Sequence, residues 1–187
     1  MLKFQWTNTT IRSLSDFEFL KKVVQEVQPK IGAVDTETDG LHIINNKPFV
    51  VQFGFLDPAN KRGFTFVIDL ENSKQLSKEV LTYWTSIAHS LDYYMGHNIK
   101  FDLHMLANIG YEYKDKNLTD TMFYIRYGHD ALHPNEGGPP LGLKEYATRY
   151  IDRNAKLHEH KLNKEKTSIT KVYANINYTL FIGIKIY

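Results

Sequence analysis

Apolar residues recur at helical spacing between Ser15 and Val27. Phe17, Leu20, Val24 and Val27 share one side, with Lys21, Lys22 and Glu26 outside. Ser15-Asp16-Phe17-Glu18 matches a capping box for the helix start, and Pro29 stops the helix. Ile31-Gly32-Ala33-Val34 is a short unbroken apolar run, the pattern of a buried strand, and it leads straight into Asp35-Thr36-Glu37-Thr38-Asp39-Gly40. Two β-rich runs follow. In the first, Phe49, Val51, Phe53 and Phe55 alternate onto one face. The second is Gly63 to Ile68, and the turn-forming stretch Asp57 to Arg62 between them predicts an antiparallel hairpin. Leu76, Val80, Trp84, Ile87 and Leu91 predict a long helix over about 75–94. Met95-Gly96-His97-Asn98 is too short to assign by itself. Further helices are expected over 101–108, closed by Gly110, over 121–127, and over 143–151, where Leu143, Tyr146, Ala147, Tyr150 and Ile151 make the clearest amphipathic face. The stretch 134–140, rich in Gly and Pro, reads as a loop.

Early strands followed by helices that alternate with short apolar segments predict an α/β three-layer fold. Its mixed sheet should have antiparallel first strands and a later strand joining in parallel. No internal repeat or low-complexity tract interrupts the chain. A length of 187 residues suits one domain. The pattern weakens after Ala155, so 1–155 is read as the domain and 156–187 as a basic C-terminal segment. That segment holds six lysines against two glutamates and ends in the β-prone run Phe181 to Tyr187.

Composition narrows the chemistry. With 42% apolar and 24% charged residues, the chain is neither disordered nor fibrous. It has no cysteine, which excludes disulfides, a thiol nucleophile and Cys-ligated metal. No apolar run nears the roughly 20 residues of a membrane span, and Met1 to Trp6 has no secretory apolar core, so a cytoplasmic location is expected. A net charge of +2 says little about partners.

Asp35 and Glu37, at i and i+2 in an extended segment, point to one face. Two carboxylates at the end of a buried strand are costly without a positive partner, and a hard divalent cation, Mg²⁺ or Mn²⁺, is the natural one. A solvated acidic pair is the plain alternative. Asp102 falls in the first turn of a predicted helix, where the helix dipole favours a carboxylate; simple capping explains it equally. Three carboxylates at one place would suit two metals in phosphodiester hydrolysis.

Asp35-Thr36-Glu37-Thr38-Asp39-Gly40-Leu41 resembles the first motif of the DEDD exonucleases, nearest to the 3′→5′ proofreading domain of family A, DNA polymerase I-like enzymes of phage type. Gly96-His97-Asn98-Ile99-Lys100-Phe101-Asp102 resembles the second motif. Asp120-Thr121-Met122 and Leu143-Lys144-Glu145-Tyr146-Ala147 resemble later stretches. The resemblance covers about residues 10–155 and implies a ribonuclease H-like fold and two-metal hydrolysis of DNA 3′ ends, single-stranded or frayed, in the host cytoplasm if the gene is a phage's. It implies that Asp35 bridges both divalent cations, that Glu37 binds the one activating water, and that Asp102 holds the other. Leu41 matches a position that wedges against the last bases. Thr38 and Asn98 match positions near the terminal nucleotide. Leu41 as core, and Thr38 and Asn98 as turn or cap residues, are the competing readings.

The family's third motif, Tyr-x-x-x-Asp, supplies a fourth carboxylate. Here Tyr173 stands at a fitting place, but Asn177 occupies the Asp position. A neutral amide binds a hard cation poorly. Asp120, Asp130 and Asp152 come too early. The expectation is therefore a truncated or split piece of a polymerase, with another polypeptide supplying the missing motif. Two alternatives compete: a ribonuclease D-like RNA 3′-exonuclease, and a non-catalytic module that binds nucleic acid or docks on a polymerase. His129 and His133, at i and i+4, could be a metal pair but read as a surface pair, since Pro134 and the Gly-rich loop follow at once; His158 and His160, two apart, would point to different sides of a helix. The late lysines read as a phosphate-contacting or a merely solvated face.

Overall fold

The structure, a computed structural model, describes residues 4–71, 74–113, 117–128 and 140–154. Eleven elements occur among them. β1 is Gln5–Ile11, α1 Leu14–Val27, β2 Ile31–Thr38, β3 Pro48–Asp57, β4 Arg62–Asp69 and α2 Lys74–Ala88. They are followed by β5 Tyr93–Gly96, α3 Ile99–Ala107, β6 Leu118–Asp120, α4 Thr121–Gly128 and α5 Leu143–Tyr150. The strands form one six-stranded sheet in the order β1-β4-β3-β2-β5-β6. β2, β3 and β4 are antiparallel neighbours, whereas β1 joins β4, β5 joins β2, and β6 joins β5 in parallel. This is the mixed α/β sheet that the segment pattern predicts.

Strand alternation sorts the sheet into two faces. Val34 of β2, with Val51, Phe53 and Phe55 of β3, belongs to the main core, which also takes in Leu20 of α1, Trp84 of α2 and Leu106 of α3. Phe53 lies flat on Trp84 at 4.3 Å between ring centroids, and Trp84 Nε1 donates to the Tyr94 hydroxyl at 3.2 Å. Ala33, Leu56 and Met95 form a smaller cluster with Trp6 and Tyr93. Asp35 and Glu37, in alternation with Val34 and Thr36, share the Ala33 face.

Three local expectations are corrected, and two strands are added. The capping box uses Ser13 and Asp16, not Ser15 and Glu18: Asp16 N donates to Ser13 Oγ at 3.3 Å, and Ser13 N donates to Asp16 Oδ2 at 2.9 Å. Ser13 is the residue that is extended, as an N-cap must be. The helix expected over 75–94 ends at Ala88. Asp92 N and Tyr93 N donate to Lys30 O, which turns the chain into β5 beside β2. Leu91 is buried as the stripe predicts, but it lies in the connection. Phe49 is 38% exposed and does not join Val51, Phe53 and Phe55 in the core. β1 and β6 have no counterpart in the sequence reading: β1 is a polar edge strand with only Ile11 buried, and β6 has three residues. The loop 134–140, apart from Pro140, and everything from Ala155 onward lie outside the described residues, as do His129, Asp130 and His133. No helix among the described residues is long and apolar enough to cross a membrane.

Candidate active site

β2 carries Asp35 and Glu37 at its C-terminal end, past the last residue paired to β5, Ala33. There the β5 chain turns away at Gly96 and enters α3. Gly96 permits that turn: a Cβ on it would come within 2.7 Å of Ile99 Cβ and 3.1 Å of Ile99 Cα. Asn98, next in line, takes a left-handed conformation at φ 62°. Its N–H donates to Asp120 Oδ1 at 2.9 Å, and Met122 N donates to the same oxygen at 2.9 Å. Asp120 therefore pins α3 to the start of α4, a structural duty that the sequence left unassigned.

This turn drives Asp102 into the gap beside β2. Its Oδ1 accepts from Thr36 N at 2.8 Å and from Thr36 Oγ1 at 2.7 Å, and the residue is 3% exposed. Burial first, and then the negative charge of Asp35, hold its carboxyl well above the usual carboxylate range, against the pull of the two Thr36 bonds. Asp35 in turn accepts a hydrogen bond at Oδ2 from Gln52 Nε2. Gln52 is its direct cross-strand partner on β3. A cleft of about 260 Å³ opens at Asp35 and is lined by His97, Leu143, Lys144 and Glu145. His97 donates from Nε2 to Leu141 O at 2.8 Å and meets Thr121 Oγ1 through Nδ1 at 3.0 Å. Its burial pushes the imidazole pKa down, outweighing the Leu141 carbonyl.

The other sequence candidates fall as follows. Leu41 is 85% exposed, which removes its reading as a core residue. Thr38 Oγ1 donates to Gly40 O at 2.6 Å within its own turn. Asn98 stands at the N-cap of α3 without a side-chain capping bond, so capping does not explain its amide. The loop bearing Leu41 is tied down at both sides: Lys47 N donates to Asp39 Oδ1, and Asn108 Nδ2 donates to Ile43 O and Asn46 O. Tyr173 and Asn177 lie outside the described residues. Sequence reasoning missed Thr36, Gln52 and His97. Gln52 carried a signal, being a lone amide inside the apolar run 49–56.

The donors fit a hard cation in kind, since carboxylate oxygen is what Mg²⁺ and Mn²⁺ prefer. The repulsion between buried Asp102 and Asp35 is what a cation would relieve. The fold brings those two together. No group of three or more His, Cys, Asp or Glu side chains among the described residues is gathered so as to hold a metal ion.

A family model described as 3′-5′ exonuclease matches residues 9–175. Among curated proteins none matches the chain. Among solved structures, the catalytic core of RRP6 from Trypanosoma brucei is similar at 15% identity and a TM-score of 0.63, over 99% of this chain and 48% of that one. The chain thus spans about half the length of that neighbour. Brucella melitensis NrnC with bound Mg²⁺ matches at 16% identity and a TM-score of 0.43, over 98% of this chain and 92% of that one. The same protein bound to pGG matches at 17% identity and 0.43, over 100% and 92%. The RRP6 likeness is one of fold.

Proposed function

The chain belongs to the 3′-5′ exonuclease family, and from that membership we propose that it removes nucleotides from single-stranded or frayed DNA 3′ ends with divalent cations, as proofreading domains do. The observation that carries this reading is the pairing of Asp35 with Asp102 at the point where β2 and β5 part. A carboxyl group buried beside a second carboxylate at the cost of its own ionisation is a poor structural device and a good cation site. Bound Mg²⁺ or Mn²⁺ would activate water and offset charge on the phosphate. In this reading Asp35, Glu37 and Asp102 hold the ions. Leu41, exposed on its tethered loop, packs against the terminal base. The Asn98 amide, uncommitted to capping, and Thr38 meet the last nucleotide. His97, held neutral, fixes the wall of the cleft by joining β5 to the lead-in of α5.

That no trio of carboxylates is gathered among the described residues favours a second reading, a module that binds 3′ ends without turnover. One assay separates the readings. Labelled single-stranded DNA, frayed duplex, blunt duplex and RNA are incubated with Mn²⁺, the intact chain and Asp35→Ala. Stepwise 3′ shortening of single-stranded DNA, lost in the variant, is the expected result. Faster RNA shortening would replace DNA by RNA as substrate. Binding without shortening would establish the second reading.

A further inference from the structure

The loop between β2 and β3 holds its apolar side chains in solvent. Leu41 is 85% exposed, Ile44 75% and Ile43 42%. Every residue from Leu41 to Asn45 is exposed, so no apolar side chain of the tip anchors it. At the base of the loop, Asp39 and Lys47 line an open cleft of about 1070 Å³ together with Phe49 and Tyr111, so core packing does not wedge the loop in place from that side either. A tip of this kind should lie down on neighbouring apolar surface unless polar bonds hold it up.

Part of the hold is internal. Lys47 N donates to Asp39 Oδ1 at 2.9 Å, and His42 N donates to Asn46 Oδ1 at 2.8 Å. These bonds shape the loop without fixing where it points. The link to the rest of the molecule is Asn108. Its Nδ2 directs both hydrogens at the loop, donating to Ile43 O at 2.9 Å and to Asn46 O at 2.8 Å. Both partners are carbonyls, which only accept, so the nitrogen is the amide atom that faces them. Ending the helix does not require this amide: the C-cap bond of α3 runs from the Asn108 backbone N–H to His104 O. The clamp also stands on a rigid base, since Met105 and Leu106 just before it are buried. Asp102 is carried by the same helix, about 9 Å nearer its start. α3 therefore ties the carboxyl buried beside Asp35, at one end, to the apolar tip at the other.

We propose that Asn108 is a positioning residue, which holds the Leu41–Ile44 tip at a set distance from Asp35 and Asp102 and so seats the terminal nucleotide of a 3′ end. This rests on the reading of Leu41 as the residue that packs against the terminal base. A tip already in place loses little freedom when a base arrives, whereas a tip that samples other positions binds more weakly in proportion to the time spent in them.

The test is binding of a short 5′-labelled single-stranded DNA to the full chain, followed by fluorescence anisotropy in Ca²⁺. The parent is compared with Asn108→Ala, Asn108→Asp, Leu41→Ala and the double variant Leu41→Ala with Asn108→Ala. Asn108→Asp keeps the shape of the side chain but has no hydrogens to donate. A circular single strand, which has no 3′ end, is the control probe, and the melting shift with Mn²⁺ is read for each protein. Both Asn108 variants should bind the linear strand about tenfold more weakly, with the circular strand and the Mn²⁺ shift unchanged. The two losses should not add: once Leu41 is truncated, removing the clamp should change binding by less than about twofold. Full additivity, or unchanged binding in both Asn108 variants while Leu41→Ala is impaired, would overturn the positioning role and leave the Leu41 contact standing. A Mn²⁺ shift that falls together with strand binding would overturn it too, because Asn108 would then act on Asp102 through α3. Linear-strand binding by Leu41→Ala equal to that of the parent would overturn the reading of Leu41 itself. Loss of folding in both Asn108 variants would make Asn108 a fold residue and overturn the proposal as well.

Discussion

A carboxyl group that is 3% exposed and lies beside a second carboxylate destabilises the fold whenever it is ionised. Burial and the Asp35 charge raise the folded pKa of Asp102 above its ordinary 3.8, so over that interval the folded chain keeps a proton that the unfolded chain has released. Its contribution therefore falls as pH rises from about 4, and levels off above the raised folded pKa. Asp102→Asn keeps an acceptor for both Thr36 donors and removes the charge. It should raise the melting temperature at neutral pH by about 2–4 °C, the equivalent of roughly 1 kcal/mol in a chain of this size. Melts at pH 7.5 and near pH 3.5 check the sign: the gain should vanish at the lower pH, and 3′ shortening should be lost at neutral pH. A less stable variant at pH 7.5 would mean that the ionised Asp102 is already compensated. His97 runs the other way. Its folded pKa is pushed below the ordinary 6.5, so its contribution is complete above that pH and declines on acidification below it. Its imidazole should titrate below 6.5 by NMR, and His97→Gln should flatten the loss of stability between pH 7 and 5.

At the scale of elements, the site depends on how closely α3 follows β5. Gly96→Ala would set a Cβ 2.7 Å from Ile99 Cβ and push back the first turn of α3, which carries Asp102. The clash should cost about 1–3 kcal/mol by denaturant unfolding. Turnover should suffer more than stability, since a displacement of about 1 Å can cost roughly a hundredfold in rate. Activity that falls only in proportion to the folded fraction would show that α3 has slack. Trp84 belongs to the main core and not to the site. It stacks on Phe53 and bonds Tyr94, so Trp84→Ala should cost about 3–5 kcal/mol and leave the remaining folded molecules with unaltered cation affinity.

Over the whole molecule, a cation that binds only the folded chain must raise its stability. At a hundred times its dissociation constant the gain is about 2.7 kcal/mol. For this size of chain that is roughly 5–10 °C in melting temperature. Mn²⁺ should produce such a shift in the parent and little or none in Asp35→Ala. Leu41→Ala, at an exposed position, should leave both the melt and the cation shift within error and weaken only the handling of 3′ ends. An ion-induced shift of the same size in Asp35→Ala would place the cation elsewhere.

The linear pattern was sufficient for much of this. Alternation in Phe49 to Phe55 and Gly63 to Ile68 located the hairpin, and the apolar run before Asp35 located the strand that carries Asp35 and Glu37. Both signals are local, because side chains two apart share a face whatever the rest of the chain does. The match to the 3′-5′ exonuclease family agrees with the two acidic motifs read as a resemblance. What local spacing does not contain is the pairing of distant segments. β1 was invisible because a polar edge strand buries little, and the helix over 75–94 was overrun because the Tyr93–Gly96 strand exists only through its ladder with β2. The sequence by itself determined β2, β3 and β4, the amphipathic helices, and the acidic residues at the end of β2 and in the first turn of α3. Only the tertiary structure decided that Asp102 is buried on Thr36 against Asp35, that Leu41 stands in solvent, and that Gln52 faces Asp35, because each is a contact across a sheet register or between segments far apart in the chain.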